Sequence, residues 1–75
     1  MNWQDHIAAD PAVLVSKPVV RGTRLAVEFV LDLIAQGWSE QEIARNCRLT
    51  AEQIRACVAY ARERLREEEV FAVGR

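Results

Sequence analysis

The run Trp38-Ser39-Glu40-Gln41-Glu42-Ile43 is answered eleven positions later by Leu49-Thr50-Ala51-Glu52-Gln53-Ile54. Each run is a complete helix start. A hydroxyl residue, Ser39 or Thr50, accepts a hydrogen bond from the backbone N–H three residues on, and Glu42 or Gln53 reaches back to the cap's own N–H. The apolar residue before each cap and the isoleucine at the fourth helical position supply the accompanying hydrophobic staple. Two caps eleven residues apart leave room for about two helical turns, at 3.6 residues each, and a tight turn. That is the anatomy of a helix-turn-helix with the second helix as recognition helix, and equally of a plain helical hairpin inside a small bundle.

The flanking pattern extends the frame in both directions. A first helix is predicted from Ala26 to Gly37, with the glycine placed as a left-handed C-terminal cap. Val27, Val30, Leu31 and Ile34 form one apolar stripe and Phe29 with Leu33 a second. A helix apolar on so many sides needs cover on more than one, from the N-terminal arm, from another subunit, or from both. The second helix, Glu40 to about Asn46, is expected to bury Ile43, Ala44 and Cys47. The third starts at Ala51 and carries Ile54, Cys57, Val58, Ala61 and Leu65 as its core stripe, with Glu52, Ala56, Ala59 and Glu63 opposite. Arg55, Arg62 and Arg66 align on one flank, as a phosphate-following row or as a solvated face offset by acids. Glu67–Glu69 oppose the helix dipole, so the helix is expected to fray there. The apolar Val70–Val73 tail reads as a docking segment or as disorder.

Upstream, Asp10-Pro11 marks a turn after a largely polar start. Val13 to Leu25 reads as two short strands or extended arms, held by Pro18 to an edge or an irregular arm, with Gly22 at a turn. Lys17, Arg21 and Arg24 place three cations within eight residues with no acid between them. They serve either to protect a sheet edge against aggregation or to touch phosphate or an acidic partner. His6, the single histidine, suits a surface or half-buried structural position, with pH sensing the alternative.

Size and chemistry narrow the function classes. A chain of 75 residues forms one small domain, and 51% hydrophobic content exceeds what so small a core readily uses, which favours a homodimer. The formal net charge of −1 is unlike a strong stand-alone nucleic-acid binder. Cys47 and Cys57 read as reduced buried thiols, the start carries no export pattern, and no run approaches a membrane span, all pointing to the cytoplasm. One histidine and two separated cysteines provide no metal site, and no cofactor is expected. With no phosphate cradle, paired carboxylates or nucleophile set, neither enzyme activity nor a small-molecule substrate is expected.

The stretch Lys17-Pro18-Val19-Val20-Arg21-Gly22-Thr23-Arg24, followed by Gly37-Trp38-Ser39, Glu42-Ile43 and Leu49-Thr50, closely resembles the domain-of-unknown-function 433 family of small bacterial proteins. The resemblance runs from Lys17 to Ala61. Ser16 stands where the family usually has a second glycine, and Cys47-Arg48 where it often has an aromatic residue and proline. The resemblance implies a mainly α fold, a three-helix homeodomain-like or winged-helix-like bundle preceded by a short β arm or hairpin. It also implies the antitoxin half of a type II toxin–antitoxin pair, commonly beside a PIN-like ribonuclease toxin. On that reading Arg48, Thr50, Gln53 and Arg55 are the candidate contacts to operator DNA, Gln to adenine and Arg to guanine. Lys17, Arg21, Thr23 and Arg24 of the basic arm are the candidate contacts to the toxin, whose acidic site an arginine would complement, with the apolar face of the first helix or the tail as the other places that could hold it. The alternative is a protein-interaction module in which the helix-turn-helix is scaffold only.

Overall fold

The computed structural model describes residues 2–9 and 17–72, with side chains described for 2–9 and 17–67. The predicted turn at Asp10-Pro11, the strand at Val13–Val15 and the side chains of the tail fall outside these. Within them the chain is mainly helical, with three helices and a short two-stranded antiparallel hairpin at the N-terminal end.

A single 3-10 turn, Trp3–Asp5, opens the chain, with the Asn2 side chain accepting from the Gln4 N–H at 3.2 Å. It leads into β1, Ile7–Ala8, which pairs antiparallel with β2, Val19–Val20, so that Ile7 faces Val20. The sequence places the strands of the hairpin between Val13 and Leu25. The partner of β2 instead comes from the stretch read as polar. Its warrant is burial, since Ile7 is 3% exposed and Val20 fully buried.

α1, Val27–Ala35, buries Val27, Val30 and Leu33 and half-buries Leu31. Its end follows from Gly37, which sits at φ 99°. The Gly37 N–H donates to Ile34 O at 3.0 Å and the Trp38 N–H to Leu33 O at 3.1 Å, the paired bonds of a Schellman cap. The broad apolar surface of α1 is only partly covered: Phe29 stays 45% and Ile34 37% exposed. The 3-10 turn and β1 pack on the third helix, where Trp3 meets Tyr60 edge to face with centroids 5.0 Å apart.

α2, Glu40–Cys47, buries Ile43 and half-buries Ala44 and Cys47, as its spacing requires. α3, Ala51–Ala72, is the longest element and touches all the others except β2 in substance. Its buried face is rotated from the expected stripe. Ile54 and Cys57 are core, but so is Ala56, while Val58 and Leu65 are 47% and 65% exposed. The Trp3 side of the N-terminal segment claims the flank holding Ala56 and Tyr60, and this turns Val58 and Leu65 outward. The helix also runs past Glu67–Glu69, where fraying was expected. Arg64–Glu67 at 3.8 Å and Arg66–Glu63 at 3.9 Å pair across its exposed surface one turn apart.

Candidate binding turn and helix-turn-helix

The residues between β2 and α1 form a closely bonded turn. The Val20 N–H donates to Leu25 O at 2.9 Å, and the Thr23 N–H to Val20 O at 3.0 Å. The Thr23 hydroxyl donates to that same carbonyl at 2.8 Å and accepts from the Leu25 N–H at 2.9 Å. Gly22 supplies the positive φ, 84°, that the reversal needs. Beyond it Ala26 bridges back to Val19, and the Val27 N–H donates to Pro18 O at 2.9 Å. The turn is thereby fixed to both the hairpin and the start of α1.

Its cations divide into two kinds. The Arg21 N–H donates to His6 O at 2.7 Å, and its guanidinium Nη2 donates to Gln4 O at 3.1 Å and Ile7 O at 3.0 Å. Arg21 is thus the clasp that holds the N-terminal segment to the turn. Lys17 Nζ lies 3.1 Å from Glu28 Oε1, but both side chains are mostly exposed, and such a pair contributes little. Arg24 is exposed and makes no hydrogen bond or ion pair with any described residue. Of the four arm residues expected to touch a partner, Arg21 and Thr23 are engaged in building the turn, Lys17 is loosely paired, and Arg24 is presented.

The helix-turn-helix shows a similar division. Both capping boxes form. The Ser39 hydroxyl accepts from the Glu42 N–H at 3.1 Å and the Glu42 carboxylate accepts from the Ser39 N–H at 2.8 Å. The Thr50 hydroxyl accepts from the Gln53 N–H at 3.1 Å, and Gln53 Oε1 accepts from the Thr50 N–H at 2.8 Å. The side chains of Thr50 and Gln53, candidates for DNA, are therefore spent largely on the cap. Arg55 Nε lies 3.3 Å from Glu40 Oε2, tying the second helix to the third. Arg48 differs from all of these. It occupies the left-handed region at φ 58°, its N–H donates to Ala44 O, and its exposed side chain has no partner among the described residues.

Two ionisable groups carry the local electrostatics. Backbone and side-chain hydrogen bonding at Ser39 holds the Glu42 carboxyl below the usual carboxylate range. Burial pushes the Cys57 thiol up to about 11, so it stays protonated and inert. Among the described residues no three His, Cys, Asp or Glu gather where they could hold a metal ion, and no helix is long and apolar enough to cross a membrane.

A second feature escaped the residue-by-residue reading of the chain. Between α1 and the C-terminal half of α3 lies an open groove of about 460 Å³, walled by Pro18, Val27 and Leu31 on one side and Ala61 and Leu65 on the other. Helix length was the available signal. A helix of 22 residues cannot be covered along its whole length by partners of 9 and 8.

The family model described as "Protein of unknown function (DUF433)" matches residues 7–61 of this chain, from β1 through the first three turns of α3. Neither the curated proteins nor the solved structures return a match.

Proposed function

The chain belongs to the DUF433 family, and from that premise we propose that it is an antitoxin-type binding protein rather than an enzyme, holding an acidic protein partner through the turn that presents Arg24. The observation that carries this reading is the contrast within the turn. Thr23 and Arg21 fix the backbone by hydrogen bonds, and Arg24 projects from it exposed and unpaired among the described residues. A cation on a stiff backbone loses side-chain but little main-chain freedom on binding, so more of its interaction energy appears as affinity than from a flexible loop. The partner that fits best is a PIN-like ribonuclease, whose acidic active site would accept a guanidinium, and the proposed place of action is the cytoplasm.

On this reading the three-helix, homeodomain-like frame serves DNA only secondarily. Thr50 and Gln53 are already bonded within the chain, Arg55 is held only by an exposed pair with Glu40, and the net charge of −1 provides no general attraction to phosphate. Arg48 keeps operator binding open as a second use, because it is exposed and placed where the turn meets the recognition helix.

The test is affinity for the product of the neighbouring gene, which this reading expects to be a PIN-like nuclease, measured by calorimetry. Arg24→Glu is expected to weaken capture at least tenfold without altering the fold, about 1.4 kcal/mol or more. Unchanged affinity overturns the arm reading. Operator binding is tested separately by anisotropy at about 50 mM salt, where phosphate contacts are strongest. No binding there, with or without the partner, removes the DNA role.

A further inference from the structure

We propose that the segment Asn2–Ala8 is a strap whose docking on α3 holds the Arg24 turn in shape, so that releasing it loosens the turn and lowers affinity for a partner. The effect on affinity rests on the partner-binding reading. The coupling of strap to turn does not, and is tested on this chain alone.

The strap is fastened at both ends. At one, the Trp3 ring meets Tyr60 of α3 edge to face, with 5.0 Å between centroids. At the other, Arg21 bonds three of its carbonyls, the guanidinium donating to Gln4 O and Ile7 O and the backbone N–H to His6 O. Between the two, Ile7 is buried opposite Val20. α3 packs on the 3-10 turn and on β1 but makes no comparable contact with β2. The strand that leads into the turn therefore leans on α3 through the strap, its other anchor being the chain's own exit into α1.

Val20 joins the two halves. Its side chain is fully buried and its ladder partner is Ile7. Its backbone is also the hub of the turn: the N–H donates to Leu25 O, and the carbonyl accepts from both the N–H and the hydroxyl of Thr23. When Ile7 leaves, Val20 loses its cover, and the residue that shifts is the one around which the turn is bonded.

The strap is short enough to leave as a unit. Its strand has two residues and its helix is a single 3-10 turn. Neither is stable by itself, so the fastenings at Trp3, Ile7 and Arg21 hold or fail together. Such units open at a free energy below that of the whole domain. The apparent affinity of the turn then falls in proportion to the fraction of chains in which the strap is closed.

Amide exchange of the full chain, read residue by residue by NMR, tests the coupling. The Arg21 amide reports the strap, and the Thr23 and Leu25 amides report the turn. After correction for intrinsic rates, all three are expected to exchange through one opening, about tenfold or more faster than the Ile54 amide of α3. Trp3→Ala, at the strap's far end, is expected to speed the three by one common factor of about tenfold or more. A turn that keeps its rates in Trp3→Ala overturns the proposal. So does a wild-type turn that opens only with Ile54, because the strap is then an ordinary part of the core. Capture of the neighbouring gene's product is measured alongside. Trp3→Ala combined with Ile7→Ala is expected to weaken it about tenfold or more, although neither residue lies on the turn. Capture unchanged by that pair but weakened by Arg24→Glu overturns the effect on affinity. Indifference to Arg24→Glu fails the partner reading instead, and the coupling stands or falls on its exchange rates.

Discussion

The chain builds the same corner twice, once into α2 and once into α3, and the two versions differ at every working position. In the first, Gly37 turns left-handed, Trp38 follows as the staple, Ser39 caps, and Glu42 closes the box. In the second, Arg48 turns left-handed, Leu49 staples, Thr50 caps, and Gln53 closes it. The backbone bonds match: Trp38 N–H to Leu33 O and Leu49 N–H to Ala44 O span the same five residues, each at 3.1 Å. Since the geometry is shared, the differences isolate what each corner is for. The first uses the residue best suited to its backbone and leaves its staple 37% exposed. The second buries its staple in the core and accepts a strained arginine at its surface.

The staples should show the largest difference. Leu49 is 5% exposed and packs with Ile43, Ile54 and the rest of the core. Leu49→Ala is expected to cost about 2–4 kcal/mol by urea denaturation followed by circular dichroism. Trp38→Ala removes a larger side chain, yet it is expected to cost less, because its site is open to water and truncation leaves no enclosed cavity there. Equal losses would mean that both corners are core elements.

The left-handed residues come next. A Cβ at Gly37 would meet nothing within 4 Å, so Gly37→Ala tests backbone strain alone. It is expected to destabilise by about 1–2 kcal/mol. Arg48 already bears that strain, and Arg48→Gly is expected to stabilise by up to about 1 kcal/mol after the added flexibility of the unfolded chain is counted. Arg48→Ala keeps the strain and loses only the cation. If operator binding exists, Ala and Gly at this position should weaken it alike, which separates the charge from the backbone. A destabilised Arg48→Gly would show that the arginine side chain supports the fold.

These corners were legible because everything in them is local. A cap, a box and a staple are set by residues within five positions of one another, and the αL glycine is a property of a single residue. The hairpin was less legible, because Ile7-Ala8 offers two apolar residues in a polar stretch and acquires strand character only by meeting Val19-Val20. The rotation of α3 has the same origin. Ala56 and Val58 are both apolar, and only the docking of Trp3 on Tyr60 decides which of them is buried. At the candidate sites, residue type was a poor guide to availability. Arg21 and Arg24 are indistinguishable as letters, and the difference between clasp and presented cation lies in the carbonyls of Gln4 and Ile7.

The smallest expected effect separates the two boxes by pH. Glu42 closes the first with a carboxylate and Gln53 closes the second with an amide, so only the first can titrate. Hydrogen bonding to Ser39 lowers the Glu42 pKa below its unfolded value, so the folded chain binds fewer protons there than the unfolded chain. The stabilisation is fully present above the ordinary carboxylate pKa, about 4.3, and is lost as the pH falls through the lowered value. Amide exchange protection at Ser39 and Glu42 should therefore decline only as the pH falls below the ordinary carboxylate range, while protection at Thr50 and Gln53 holds, and Glu42→Gln should abolish the difference. If both boxes loosened together, the cause would be a cooperative opening of the whole domain. The two corners would then be one unit energetically, however differently they are built.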